Sequence, residues 1–189
     1  MKLLVTAATW PEMRIVKEHI STLKIPHIEV EFLITWIGNY ETIYTLTKHL
    51  QSKPEQKSDF LLNVWVCWYK ANKQDVVQIA SIINASTWKE TIVPVPTIIY
   101  PLGNIVSSET IVSDPDTLVS DYCDMESFGV DMVCQKWQIP RILLKVPVDR
   151  IGEETKHFDR EKALGMLSNQ IDYRSVVEKI AAWSTLQTR

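Results

Sequence analysis

Glycine is scarce in this sequence: the chain of 189 residues contains only five. No glycine-rich phosphate-binding motif follows the first predicted strand, which argues against a dinucleotide-binding site. Cysteine is scarce as well, since Cys67, Cys123 and Cys134 are the only three. Their odd number, their apolar settings and the absence of metal-ligand spacing indicate reduced, buried thiols in a cytoplasmic protein.

The sequence also lacks a basic excess and a long apolar run. It has 20 Lys and Arg against 23 Asp and Glu, a formal net charge of −3, so we expect neither a nucleic-acid partner nor an anionic membrane. No apolar run reaches the roughly 20 residues of a membrane span. The opening segment MKLLVTAATW has one early lysine and no cleavage site, so we interpret it as a first strand rather than a signal peptide.

The composition is typical of one globular domain. With 46% apolar residues, the chain is long enough to bury a substantial core, and we expect a single domain over residues 1–189. Asp121, Asp124 and Asp131 have no histidine or cysteine at metal-ligand spacing, so we expect no metal ion.

Strand and helix patterns alternate along the chain. Strands are predicted at 2–8, 28–35, 59–69, 75–83, 92–95, 97–100, 104–112, 118–123 and 142–148. Helices are predicted after Thr9, after Trp36-Ile37-Gly38, at Glu126–Gln138 and near the carboxyl terminus, with polar or charged loops at 51–58 and 150–162. Several strands follow one another in the middle with little helix between them. The order therefore predicts an α/β fold, a three-layer αβα sandwich with a mixed, mostly parallel sheet.

The segment 122–152 places two carboxylates around a helix and a strand. Apolar residues at i, i+3, i+4 and i+7 predict the helix Glu126–Gln138, and Pro140 ends it. The apolar run that follows predicts a buried strand with Asp149 at its end. Ligands of open α/β sheets bind beyond the carboxyl ends of strands, so we expect Asp149 and Glu126 near one site.

These residues carry a resemblance to a known family. Asp124-Met125-Glu126-Ser127, followed by the strand that ends in Asp149, resembles the Met-Glu helix and strand-end Asp of the nucleoside phosphorylase superfamily. The most similar branch is the methylthioadenosine/S-adenosylhomocysteine nucleosidases, with the related futalosine and aminodeoxyfutalosine hydrolases of menaquinone biosynthesis. Glu12 matches the glutamate that opens the family's first helix. The family's glycines are largely replaced, by Trp36-Ile37-Gly38 and by residues 64–68.

The resemblance implies a cofactor-free hydrolase that releases the base of a purine nucleoside. It makes Asp149 the general acid near N7 of the purine and Glu12 the residue that positions and activates the water. It makes Glu126 the acceptor of ribose hydroxyls, whose negative charge favours the cationic sugar of the transition state. Met125 is then expected to pack on the ribose.

Further contacts and a partner follow from the same resemblance. Backbone at Ile111 and Val112 is expected at the base edge, and Lys145 stands where the family has an arginine. Because family members often pair, with partner residues closing the site, we also expect a homodimer.

Each carboxylate also has a purely structural interpretation. Glu12 completes a Thr9-x-x-Glu12 capping box, Glu126 suits the positive end of its helix, and Asp149 is a common turn residue. A second alternative is a non-catalytic nucleoside-binding protein in which Trp65 and Trp68 fill the ribose cavity.

A phosphorolytic enzyme is a third alternative. A phosphorylase needs cationic or glycine-rich phosphate ligands. The glycine-rich strand end has become Val64-Trp65-Val66 in this chain, and Lys145 is the only cation expected nearby. The sequence therefore favours hydrolysis over phosphorolysis.

Overall fold

The computed structural model describes residues 1–53, 55, 57–70, 75–152 and 157–187, which form a mixed α/β fold. Within these ranges there are eight strands and five α-helices. In chain order they are β1 (Lys2–Ala7), α1 (Trp10–Ser21), β2 (Glu29–Ile34), α2 (Asn39–Ser52), β3 (Phe60–Tyr69), β4 (Val77–Asn84), β5 (Glu90–Ile92), β6 (Leu102–Ser107), β7 (Tyr122–Asp124), α3 (Ser127–Trp137), β8 (Arg141–Arg150), α4 (Arg160–Gln170) and α5 (Tyr173–Gln187). None of the described helices has the length and apolar character needed to cross a bilayer.

The strands form one mixed sheet whose central part closes on itself. The order is β2-β1-β3-β7-β6-β4-β5, and β8 pairs with both β3 and β4. Strands β3, β7, β6, β4 and β8 therefore make a closed, barrel-like ring, and the predicted plain three-layer sandwich is wrong at this point. The ring closes because β8 pairs on both of its edges, in parallel with β3 and antiparallel with β4. An apolar run reports that a strand is buried but not which strands flank it.

Several predicted strands are shorter in the structure or absent from it. The strand predicted for 104–112 ends at Ser107, and the strand predicted for 118–123 is replaced by the shorter β7, Tyr122–Asp124. Pro94 and Pro96 cannot donate to a ladder, and residues 93–100 lie outside any strand. The predicted loops at 51–58 and 150–162 include residues 54, 56 and 153–156, which lie outside the described ranges.

Two apolar clusters cover the two faces of the central strands. Alternate residues of β1, β3 and β8, such as Val5, Leu62 and Leu144, are fully buried with residues of α1, α4 and α5. Their neighbours, such as Leu4 and Leu61, are buried with residues of α2 and α3. Because successive side chains point to opposite faces of a strand, both faces of this sheet are covered.

The same topology brings the candidate residues to one end of the sheet. Strands β1, β3 and β8 run in the same direction, so their carboxyl ends share one edge. Ala8 and Thr9 follow β1 there and lead directly into α1. Strand β7 runs antiparallel to β3 and delivers Asp124 and the start of α3 to this edge.

Candidate active site

A cavity of about 500 Å³ opens at this edge. Six parts of the chain line it: the start of α1, Ile37, the end of β3 from Trp65 to Trp68, Ile111, the β7–α3 junction from Asp124 to Glu126, and the start of α4 with Phe158 and Arg160. Its volume lies within the range of small-molecule sites, and its walls combine apolar side chains with a few charged groups.

Glu12 lines the cavity and also caps α1. Its Oε2 accepts hydrogen bonds from the backbone N–H of Thr9 at 2.9 Å and from Thr9 Oγ1 at 2.8 Å. No described residue donates to Oε1. Burial raises the pKa of Glu12, while the Thr9 hydrogen bonds and the positive charges of Lys145 and Arg160 oppose the shift. The capping interpretation of Glu12 is therefore correct, and it leaves one carboxylate oxygen available to a ligand or a water.

Glu126 is held by two backbone donors. The N–H of Gly38 donates to Oε1 at 3.0 Å and that of Met125 donates to Oε2 at 3.2 Å. Gly38 has a φ of 102°, a conformation that glycine adopts without a steric penalty. Burial raises the pKa of Glu126 well above its usual value, and the neighbouring Asp124 adds to the rise. The single glycine of the Trp36-Ile37-Gly38 turn thus orients the carboxylate at the start of α3.

Lys145 is fully buried and does not line the cavity. Its Nζ lies 2.9 Å from Asp124 Oδ2 and donates to Asn63 Oδ1 at 2.9 Å, and it stands 5.3 Å from the centre of the Trp65 ring. A buried ammonium requires such partners, because the loss of hydration is otherwise uncompensated. Its acidic partner, Asp124, lines the cavity and also accepts from Ser127 at the start of α3.

Asp149 lies beside the cavity and is paired with α4. It is the penultimate residue of β8 and almost fully buried. Lys162 Nζ donates to its Oδ1 at 2.9 Å, whereas the buried Oδ2 has no partner among the described residues. Asp149 is in register with Trp68, which lines the cavity, directly after an irregularity in the β3–β8 pairing. Irregularities of this kind in strand pairing change the direction of side chains and are common next to active sites.

The remaining predicted residues divide into two groups. Met125 and Ile111 line the cavity, and Ile111 is exposed at its mouth. Val112 does not line it and packs instead in a small apolar cluster with Leu118 and Ile151. The structure therefore brings Glu12, Glu126, Met125 and Ile111 together on the cavity wall, whereas Asp149, next to Trp68, and Lys145 do not line it.

Three cavity residues, Phe158, Arg160 and Asp124, were not predicted from the sequence. Phe158 and Arg160 enter the cavity because α4 packs on α1 and β8. No periodic or motif signal accompanies them in the charged segment where they lie. The sequence does carry a signal for Asp124, since it directly precedes the Met125-Glu126 pair.

Known structures share this arrangement of elements, although no model of a known protein family and no curated protein matches the sequence. A Helicobacter pylori futalosine hydrolase mutant superposes with a TM-score of 0.76 at 15% identity, over 95% of this chain and 99% of that one. This chain has the nucleosidase fold. The 5′-methylthioadenosine/S-adenosylhomocysteine nucleosidase of H. pylori, with butyl-thio-DADMe-Immucillin-A, superposes with a TM-score of 0.76 at 14% identity. The match covers 96% of this chain and 98% of that one. The 5′-methylthioadenosine/S-adenosylhomocysteine nucleosidase of Colwellia psychrerythraea, in complex with adenine, superposes with a TM-score of 0.75 at 14% identity. The match covers 94% of this chain and 95% of that one.

The structural match concerns the whole fold around the cavity. Like the predicted resemblance, the match spans nearly the whole chain rather than one motif. Trp65 and Trp68 form walls of this cavity, and about 500 Å³ remains beside them. The two tryptophans therefore do not fill it.

Proposed function

We propose that this chain is a purine-nucleoside N-ribosylhydrolase that needs no cofactor. Its substrate belongs to the methylthioadenosine, S-adenosylhomocysteine or futalosine group, and its product is the free base. The observation that carries the proposal is the pair of buried carboxylates, Glu12 and Glu126, on one cavity of a nucleosidase fold. Asp149, next to Trp68, supplies the third carboxyl group.

The reaction passes through a cation-like ribosyl group, which a carboxylate stabilises. Glu126, fixed by the N–H groups of Gly38 and Met125, is placed to accept ribose hydroxyls. Glu12 keeps Oε1 for the attacking water, and its raised pKa brings it closer to the range of a working base.

Asp149 is the proposed proton donor to the leaving base. Lys162 occupies Oδ1, so the unpartnered Oδ2 is the oxygen left to hold and donate the proton. The Lys162 side chain is about half exposed, at 47%, which gives it room to shift when a base enters.

Hydrolysis is favoured over phosphorolysis. The positive charge of Lys145 is taken up by Asp124 and Asn63 behind the wall, away from any entering anion. The strand end that carries glycines in the family presents Trp65 and Trp68 to the cavity instead. The remaining cation of the lining, Arg160, is exposed, whereas the two glutamates are buried.

We also propose a cytoplasmic homodimer. The three cysteines are buried and free, which suits a reducing compartment. Trp36, Ile37, Tyr40 and Tyr44 form an exposed apolar surface, and Ile37 continues it into the mouth of the cavity. A second copy seated there would cover the opening.

Base release from a nucleoside panel tests the proposed reaction. Methylthioadenosine, S-adenosylhomocysteine, futalosine and aminodeoxyfutalosine are incubated with and without phosphate, and the free base is measured. We expect one or more of them to be cleaved without phosphate. Asp149→Asn is expected to lower the rate by roughly 100-fold or more, because general acid catalysis contributes about that much.

Two controls make the result interpretable. Asp172→Asn changes an exposed carboxylate at the start of α5, outside the cavity, and is expected to keep the wild-type rate. Strict phosphate dependence would replace hydrolysis by phosphorolysis. If the folded protein binds nucleosides but releases no base from any of them, the result would favour the non-catalytic alternative.

A further inference from the structure

Lys145 is a buried cation to which the proposed reaction assigns no role. It lies in the middle of β8, and its side chain is 0% exposed. Its Nζ is 2.9 Å from Asp124 Oδ2 and donates to Asn63 Oδ1 at 2.9 Å. Apolar residues of similar volume often stabilise a protein core as well as a buried ion pair does, or better. Stability alone therefore does not explain a lysine at this position.

Asp124, the partner of Lys145, lies very close to Glu126 along the chain. Both carboxylates line the cavity, and they are only 1% and 2% exposed. The backbone between them is divided, because the N–H of Met125 donates to Glu126 and the N–H of Ser127 donates to Asp124. Two carboxylates that share a buried site compete for one proton, unless a cation compensates one of the charges.

Lys145 provides that cation on the side of Asp124. Three donors meet at Asp124 Oδ2: Lys145 Nζ at 2.9 Å, the Ser127 hydroxyl at 2.6 Å and the N–H of Ser127 at 3.1 Å. The donors printed for Glu126 are two neutral backbone N–H groups, those of Gly38 and Met125. Asp124 therefore keeps its negative charge in the ion pair, and Lys145 compensates the repulsion that this charge exerts on Glu126.

The titratable groups that face Lys145 come from four elements. They are Asp124 on β7, Glu126 on α3, Glu12 on α1 and Cys67 on β3. Burial raises the pKa of the Cys67 thiol well above its usual value, so the thiol stays neutral. Burial also raises the pKa of Glu126 and Glu12, and the positive charge of Lys145 opposes the rise in both. Removal of Lys145 therefore acts on the carboxylates of the cavity.

We infer that Lys145 is a positioning residue of the site: by pairing with Asp124, it leaves Glu126 as the charged group that receives the ribose. The inference rests on the proposed function, because it takes Glu126 to be the ribose acceptor. Without Lys145, Asp124 and Glu126 share a proton. A protonated Glu126 lacks the negative charge that stabilises a cationic sugar in the transition state.

The pH dependence of kcat/KM tests the inference, with the nucleoside that wild type cleaves as substrate. Lys145→Met removes the cation and keeps a side chain of similar length. The acid limb of the profile should move to higher pH, because less Glu126 is ionised at a given acid pH. At the acid end, kcat/KM should fall by roughly tenfold relative to wild type, the size of effect that one nearby opposite charge has on a carboxyl group.

A double variant distinguishes charge compensation from a purely structural role. Lys145→Met combined with Asp124→Asn removes both charges of the pair, so the acid limb should return to the wild-type position or to lower pH. Loss of hydrogen bonds would not be reversed in this way, since the double variant lacks the ion pair altogether. An unmoved limb in Lys145→Met, or a limb that stays displaced in the double variant, would overturn the inference.

The same strand and helix offer a matched control. Arg141 and Asp131 form a second buried pair between β8 and α3, in which Arg141 Nε donates to Asp131 Oδ1 at 2.7 Å, and neither residue lines the cavity. Arg141→Met should lower the urea midpoint, as Lys145→Met does, and leave the acid limb in place. An equal displacement in Arg141→Met would overturn the inference. If Lys145→Met does not fold, Asp124→Asn is compared with the double variant, and equal limbs in those two would overturn it.

Carboxyl-13C NMR of glutamate-labelled protein keeps this test apart from the test of catalysis. The signal of Glu126, assigned with Glu126→Gln, is titrated without nucleoside in wild type and in the two Lys145 variants. If no nucleoside is cleaved but Glu126 titrates at higher pH in Lys145→Met and recovers in the double variant, charge compensation stands and the hydrolase proposal fails. If a nucleoside is cleaved and the titration ignores Lys145, only the inference fails. If neither is seen, both fail.

Discussion

At the scale of the residue, the site depends on carboxylates that are buried and held by backbone donors. Glu126 is the clearest case, since its two oxygens accept from Gly38 and Met125 while burial and Asp124 oppose its charge. The free energy of unfolding therefore depends on whether Glu126 is protonated. A carboxyl group whose folded-state pKa lies above its ordinary value binds a proton more tightly in the folded protein.

This property predicts how stability changes with pH. The stabilisation linked to protonated Glu126 is complete below the ordinary pKa of 4.5 and is lost as pH rises through the raised folded-state pKa. Glu126→Gln removes this titration, so wild type should lose unfolding free energy relative to the variant as the pH rises above 4.5. Urea unfolding at several pH values measures that slope. The slope is the quantity compared, because the glutamine amide also disturbs one N–H contact at every pH. The same dependence of unfolding free energy on pH in wild type and in Glu126→Gln would contradict the prediction.

At the scale of the element, the start of α3 is positioned by its close approach to α2. Asn39 Oδ1 accepts from the N–H of Gly129 at 2.8 Å, and the Ser107 hydroxyl donates to the same oxygen at 3.1 Å. A Cβ at Gly129 would lie 2.6 Å from the backbone oxygen of Asn39. Glycine is required here by the distance between two backbones, and the helix that presents Glu126 depends on that distance.

Two glycine substitutions separate packing from helix propensity. Gly129→Ala should lower the free energy of unfolding by roughly 1–3 kcal/mol, the usual range for overpacking, because rigid backbone must shift. Gly165→Ala is the control: Gly165 lies in α4, is exposed, and has nothing within 4 Å of an added Cβ. It should stabilise the protein by about 0.5–1 kcal/mol. Denaturant unfolding compares the two, and equal effects would show that α2 and α3 can separate freely.

At the scale of the whole molecule, the exposed aromatic surface on α2 has the composition of an interface. Tyr40 and Tyr44 are 73% and 63% exposed and lie one turn apart, next to exposed Trp36 and Ile37. Aromatic residues are enriched where protein surfaces meet. The surface adjoins the cavity mouth, so association there and substrate binding affect the same region.

The proposed homodimer predicts a concentration-dependent mass. Wild type should sediment as a dimer at micromolar concentration, and Tyr40→Asp combined with Tyr44→Asp should sediment as a monomer, because two buried charges oppose association. Leu186→Asp changes an exposed apolar residue on α5, which packs on the other face of the sheet from α2, and should leave the dimer intact. A monomeric wild type would remove the homodimer.

The sequence by itself determined where the long buried strands and the first and third helices lie. Short, nearly continuous apolar runs were enough for β1, β3 and β8, and the Thr9-x-x-Glu12 pattern was enough for the start of α1, since these signals are local. The Met125-Glu126 pair marked the start of α3 and one wall of the cavity.

The tertiary structure alone decided which residues meet across the molecule. Closure of the ring by β8, the burial of Lys145 against Asp124, the pairing of Asp149 with Lys162 and the placement of Arg160 at the mouth all join residues from separate elements. A local pattern specifies periodicity and caps, which depend on a few neighbouring residues. The contacts that give this site its charge balance depend instead on how strands pair and helices pack, and those distances are set only when the whole chain folds.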